Sequence, residues 1–162
     1  MSELQILADY HQIYLFDAGT DTILGTDWPE WDTHYASYSH DGLAVGTVEI
    51  AHVTVTVLVL EVPPPDDSAS FDHVIEASIH VSSGRVALGG PTEDEEGVGQ
   101  VEVPVGWVRV RVSRSHLDVA SEGAGPTNED FLSTEEIRVQ IWPAPRADPV
   151  LIKQWQPARR GE

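Results

Sequence analysis

Two indoles flanked by three carboxylates stand within six consecutive residues, Asp27-Trp28-Pro29-Glu30-Trp31-Asp32. Tryptophan offers a large flat contact area and is a common anchor at protein interfaces, and acids beside it steer a cationic surface towards it. A tryptophan in a loop has a second use, closing the end of a fold as a core plug, and that is the favoured reading of Trp28. Asp27, Glu30, Trp31 and Asp32 are the first candidates for contact with a partner. A second acidic run, Glu93-Asp94-Glu95-Glu96, is the next candidate, and it serves equally well as a solvated charge face.

Other chemistry-bearing residues form no recognisable constellation. The seven histidines include no HxH or HExxH spacing, and there is no cysteine to complete a metal site. His73 and His80 lie seven apart, so one strand would point them to opposite faces; each histidine is read as structural or superficial. Asp17-Ala18-Gly19-Thr20-Asp21 resembles a fragment of a calcium loop. It lacks the third ligand position and the closing bidentate Glu, and an Asx-stabilised turn explains it as well. The clustered carboxylates could supply a glycosidase acid and base, but no local pattern singles out two of them. Nucleophile elbow, P-loop and dinucleotide turn are all missing. No catalytic residue, metal ligand or cofactor is therefore assigned.

Charge is strongly segregated. The first 84 residues hold fourteen Asp and Glu and no Lys or Arg, whereas the remainder holds thirteen acids and all nine bases. About −14 of the net −18 thus sits on the N-terminal half. Those carboxylates must be solvated, paired with the C-terminal arginines, or presented to something positive. Phosphate backbones and anionic membrane surfaces are repelled, so direct nucleic-acid or membrane binding is excluded and a basic protein is the natural complement. Solubility alone is the competing explanation of the acidity. The N-terminus lacks a basic n-region, and no segment reaches the roughly 18 apolar residues of a membrane span. A soluble cytoplasmic protein is expected.

The elements that must position these residues have a period of two. His52 to Val62 is β-branched almost throughout, Trp107 to Ser113 alternates Val108, Val110 and Val112 with Arg109 and Arg111, and Glu136 to Trp142 repeats the pattern with Ile137, Val139 and Ile141. Such strands have one buried and one wet face, which would turn Arg109 and Arg111 to solvent. Weaker strands are expected over 10–17, 42–50, 74–81, 85–88, 100–103 and 150–155. Ser82-Ser83-Gly84 reads as a hairpin turn, and Pro63-Pro64-Pro65 ends the longest strand. Ser133 to Glu136 gives at most one helical turn, and 29–38 has room for a short helix. Eight or nine short strands separated by Gly, Pro and Asp loops indicate an all-β fold, a two-sheet antiparallel β-sandwich of about eight strands over residues 1–142. Residues 143–162 read as a Pro-rich basic tail with room for one more strand.

Tyr10-His11-Gln12 leads into an apolar strand ending in Phe16-Asp17; an Asp27-Trp28 pair follows, then a strand near Gly46 and a long hydrophobic strand. In this order, and in the later strands of 101–112 and 137–141, the chain resembles the competence protein J family, inhibitors of a DNA-entry nuclease. A related immunity protein acting on another toxin would look the same. The resemblance implies a small acidic, cytoplasmic-type, all-β protein whose target is a nuclease with a basic cleft. It assigns no inhibitory role to Tyr10, His11 or Gln12. On their own chemistry these lie on a strand, where a buried Tyr or His hydrogen-bonded across the sandwich is the favoured role over contact with a nuclease.

The expected function is that of a non-enzymatic inhibitor or immunity-type protein that blocks a basic partner, a nuclease, through acidic loops. The competing expectation is a β-sandwich module binding carbohydrate or calcium through Trp31 and nearby carboxylates. A homo-oligomer through an exposed edge strand is compatible with either.

Overall fold

A computed structural model describes residues 2–19, 31–91, 99–122 and 132–156. Among these residues, eleven strands form two packed sheets. The six-stranded sheet runs β1 (Ser2–Leu7), β5 (His52–Val59), β10 (Leu132–Pro143), β9 (Gly106–Ser115), β6 (His73–Val81) and β11 (Val150–Lys153). The five-stranded sheet runs β3 (Ala36–Ser39), β4 (Gly42–Gly46), β2 (Gln12–Asp17), β7 (Arg85–Gly89) and β8 (Gly99–Glu102). Two short helices, α1 (Trp31–His34) and α2 (Leu117–Glu122), and single 3-10 turns at Asp9–His11 and Ser68–Ser70 complete the described elements. No described helix is long and apolar enough to cross a membrane.

Alternation fixes which face of each strand is buried. Val53, Val55 and Val57 of β5, Val108, Val110 and Val112 of β9, and Ile137, Val139 and Ile141 of β10 meet Ile13, Leu15, Leu43, Val45, Val86 and Leu88 of the facing sheet. Each such side chain contributes roughly 1.5–3 kcal/mol when fully buried, and a one-residue slip would turn a whole strand's set to solvent. The register is therefore strongly specified.

The all-β class holds, but there are eleven strands where about eight were expected, and the sheets are not wholly antiparallel. β10 pairs with β5 in parallel, Ile137 opposite Val55 and Ile141 opposite Val59. Two strands escaped the sequence reading. In β1, Glu3 and Gln5 alternate with Leu4 and Ile6, and the polar half of that alternation hid the strand. β3 is the small polar run Ala-Ser-Tyr-Ser, without a β-branched residue. The helical turn expected at Ser133–Glu136 is instead the start of β10, where Ser133 and Glu135 point inward and are buried. The short helix expected within 29–38 ends at His34, and β3 follows it.

The outer face of β9 is not wet either. Arg109 and Arg111 are only 6% and 9% exposed. The segments 60–72 and 144–149 lie over them, and Pro65, Ala147 and Asp148 offer backbone carbonyls to their guanidinium groups. Hydrophobic alternation tells which side of a strand faces away from the core, but not whether another segment returns to cover it.

Candidate functional site

Four of the described arginines are tied to carboxylates within the fold. Glu76 of β6 bridges Arg109 and Arg111, its two oxygens accepting from their Nε atoms at 2.9 and 3.0 Å. Arg138 grips Asp67 with two hydrogen bonds of 2.7 Å and lies over the ring of Phe71, 4.4 Å from its centroid. Arg114 and Glu135 form a fully buried pair at 2.8 Å, and the second oxygen of Glu135 accepts the backbone N–H of Val48. Pairing thus accounts for four arginines, and through Glu76 and Asp67 it neutralises two of the fourteen N-terminal acids. Glu49 is buried as well, accepting from the Ser133 hydroxyl.

Asp17 terminates β2 and organises the turn between β6 and β7. Its carboxylate accepts the N–H and hydroxyl of Ser82, the N–H and hydroxyl of Ser83, and the N–H of Gly19. Burial alone would raise its pKa; the hydrogen bonds from Ser83, Ser82 and Gly19 outweigh burial and bring it down to about 2. Both oxygens are thereby filled, which leaves Asp17 a structural acceptor and removes it from the calcium-loop fragment. Among the described residues no group of three or more His, Asp or Glu side chains is placed to hold a metal ion.

His73 locks the other end of the segment that begins after Asp17. Its Nε2–H donates to the His34 carbonyl at 2.7 Å, and its Nδ1 accepts the Trp155 N–H at 3.0 Å. A carbonyl can only accept and an N–H can only donate, so the partners fix a single neutral tautomer. The ring of Tyr35 meets His73 edge-on at 5.1 Å and Trp155 at 6.1 Å. Burial, followed by the positive charge of Arg114, lowers the pKa of His73 to about 4. One imidazole therefore joins the end of α1, strand β6 and the C-terminal segment.

Strand pairings show which connections share an end of the sandwich. Leu7 pairs with His52 and Leu132 with His52, Gln12 with Gly46, Tyr14 with Gly89, Leu88 with Gly99, and Ser115 with Glu136. The β1–β2 connection, the described flanks of 92–98 and those of 123–131 all lie at this end. So does α1, since the strand that follows it starts with Ala36 opposite Val45. Asp17 lies at the opposite end. The segment 18–30 therefore starts at one end of the sandwich and is rejoined at the other.

The β1–β2 connection carries the feature that the sequence reading missed. Tyr10 is not on a strand and not buried: it is 69% exposed. It sits in a single turn of 3-10 helix over Asp9–His11, and both Tyr10 and His11 have left-handed backbone, with φ of 54° and 60°. Left-handed conformation costs a non-glycine residue roughly 1–2 kcal/mol. The tip is held by the Asp9 carboxylate accepting the Tyr10 N–H at 3.0 Å, and by the His11 carbonyl accepting the Thr47 N–H at 2.8 Å. No local sequence signal marks it, because a Tyr-His pair before an apolar strand reads as strand.

A groove of about 360 Å³ lies where the β3–β4 turn meets the outer face of β6. Tyr38, His40, Ser78, Trp107 and Arg146 line it, and His40 stacks on His80 with ring centroids 5.2 Å apart while Trp107 meets both edge-on.

Of the expected contact residues, Asp27, Glu30, Glu93, Asp94, Glu95 and Glu96 lie outside the described residues, as does Trp28. Trp31 and Asp32 open α1, and only their backbone is described.

The fold is a known one. No protein-family model matches the sequence, and no curated protein does. Among solved structures the chain is similar to ComJ of Bacillus subtilis, an inhibitor of the DNA-degrading activity of NucA. The TM-score is 0.63 at 8% identity, over 89% of this chain and 96% of that one. It is also similar to a structure described as crocagin biosynthetic gene J, with a TM-score of 0.55 at 20% identity, over 88% of this chain and 99% of the other. At these identities the likeness is one of fold.

Proposed function

We propose that this chain is a non-enzymatic inhibitor or immunity-type protein of the cytoplasm that binds a basic protein, a nuclease, and blocks it. The observation that carries the reading is the ComJ-like arrangement of two sheets along nearly the whole chain. Charge supports it: four arginines are tied to carboxylates inside the fold, so the net −18 is not offset by a free cationic face built from them. A nuclease binds a polyanion through a basic cleft, and a negative body competes for that cleft. Opposite charge raises association rates by about 10- to 1000-fold, while affinity comes from a few close charge pairs beside aromatic anchors. Asp27, Glu30, Trp31 and Asp32 remain the proposed contacts, with Glu93 to Glu96 second.

The test is titration of NucA and of other basic nucleases with the chain at low salt, reading DNA degradation. Inhibition that weakens with added salt, and that is lost when Glu30 and Asp32 are both reversed to Lys, is expected. Absence of binding at low salt refutes the reading.

One observation favours a ligand-binding module instead: the groove between Tyr38, His40, Trp107 and Arg146 has a volume within the range of small-molecule sites. Quenching of tryptophan fluorescence by simple sugars, lost in Trp107→Ala, would support that alternative.

A further inference from the structure

We infer that β1 is the edge through which two copies of this chain associate, pairing antiparallel about a two-fold axis at Gln5; the inference is independent of the inhibitor reading. Each sheet has two outermost strands, β1 and β11 in one and β3 and β8 in the other. β3 and β8 are four residues long. β11 is equally short, follows Pro149, carries Lys153 and breaks register between Leu151 and Lys153. Short length, proline, lysine and irregular register are devices by which edge strands avoid further pairing, and β1 uses none of them. Its six residues run in unbroken register from Ser2 opposite Val57 to Leu7 opposite His52. Leu4 and Ile6 fasten its inner face to the core. The groups on offer follow from one bond. The Ala8 N–H donates to the Ala51 carbonyl at 2.9 Å, continuing the same register. Backbone groups alternate in direction along an antiparallel strand, so Ser2, Leu4 and Ile6 turn theirs to β5, while Glu3, Gln5 and Leu7 turn theirs to the open edge.

A second copy fits this row because the strand is complementary to itself. With Gln5 opposite the partner's Gln5, Glu3 meets the partner's Leu7 on each side, and the outward residues of both strands exchange about six backbone hydrogen bonds. The Gln5 side chain is exposed, and an amide carries both donor and acceptor, so it pairs with its own copy across the axis. The one charge of the strand is Glu3. In this register it lies roughly 14 Å along the strands from the partner's Glu3, beyond the Debye length of about 8 Å at physiological salt. Centring the pair on Leu4 would set the two carboxylates at diagonal positions, and centring it on Glu3 would set them face to face, where like charges destabilise. Centring it on Ile6 would forfeit the bonds of Glu3. The contact is one strand wide, small beside the roughly 1,200–2,000 Å² of a standard stable interface, so the dimer is weak. The net −18 of each copy opposes it further, and added salt screens that repulsion. Self-association therefore strengthens with salt, opposite in sign to the binding of a basic partner.

The experiment is sedimentation equilibrium of the full chain at about 100 μM, a concentration suited to a weak contact, in low and in high salt. The weight-average mass should exceed the 17.7 kDa of one chain and rise with salt. Gln5→Pro deletes an N–H that no bond of the β1–β5 pair uses, and proline is tolerated on an edge strand where the N–H faces outward. It should sediment as a single chain in both salts with an unchanged thermal midpoint. Gln5→Glu keeps the backbone and sets two carboxylates face to face; it should weaken association about fivefold at low salt and less at high salt. A mass of one chain for the unmodified protein in both salts overturns the inference, as does association that weakens with salt or that persists undiminished in folded Gln5→Pro. If Gln5→Pro melts lower, Gln5→Glu decides, and undiminished association in that variant overturns the inference equally. The inhibitor reading stands or falls apart from these outcomes, by the degradation of DNA in the NucA titration.

Discussion

Acidification from neutral pH should loosen the joint made by His73, and the size of the effect follows from the geometry. The folded imidazole is neutral because one nitrogen donates to the His34 carbonyl and the other accepts from the Trp155 N–H. A second proton would sit on Nδ1 against that N–H, in a buried site beside Arg114. The folded pKa of about 4 lies below the ordinary 6.5, so the unfolded chain takes up the proton first. The contribution is full above pH 6.5, declines as pH falls towards 4, and is lost below that. At about 1.36 kcal/mol per pH unit, the gap costs on the order of 3 kcal/mol. Urea denaturation between neutral pH and pH 4 measures it, with His73→Gln as reference. Glutamine offers a donor and an acceptor but does not titrate. The unmodified chain should lose about 3 kcal/mol more than the variant across this window, and the His73 ring signals should stay unprotonated until pH nears 4. Parallel stability profiles for the two proteins would refute the reasoning.

Asp17→Asn removes the charge that holds both serines of the β6–β7 turn, and should cost about 2 kcal/mol at neutral pH by thermal or urea melting. The same carboxylate acts in the same direction as His73 but at lower pH: its folded pKa of about 2 lies below the ordinary 3.8, so its contribution is present above 3.8 and lost as pH falls through 2. Glu135→Ala leaves the buried Arg114 without its carboxylate and should destabilise by about 3–5 kcal/mol, whereas replacing both partners by apolar residues should cost much less, as a double-mutant cycle would show. Reversal of Glu30 and Asp32 to Lys should lower the association rate with a basic nuclease and flatten its salt dependence, as stopped-flow binding at two ionic strengths would show.

What was readable in the sequence divides along physical lines. β5, β9 and β10 declare themselves because their β-branched residues alternate and their inner faces fill the core. β1 and β3 do not: one carries polar residues at every second position, and the other is a four-residue polar run that reaches the core only through Ala36 and Tyr38. The parallel pairing of β5 with β10 leaves no local mark, since it is decided by which distant strands meet. The pairing of N-terminal acids with C-terminal arginines was a stated option for the charge, and Glu76 and Asp67 take it. That Arg109 and Arg111 are covered depends on Pro65, Ala147 and Asp148 returning across the sheet, a long-range event without a motif. Tyr10 was misread for the same reason: its spacing from Gln12 fits a strand, and only the backbone turn at Asp9–His11 shows otherwise. The acidic-aromatic segment 27–32 remains a reading of residue types, joined to the described fold by Asp17 before it and by His34, Tyr35 and His73 after it.

The measurement closest to the central claim is the degradation of DNA by NucA as this chain is added at low salt, with the Glu30 and Asp32 reversal run beside it. The account predicts inhibition by the unmodified chain that fades with salt and is lost in the variant, while both proteins remain folded. Undiminished DNA degradation in the presence of a folded, unmodified chain, repeated across other basic nucleases, would contradict it.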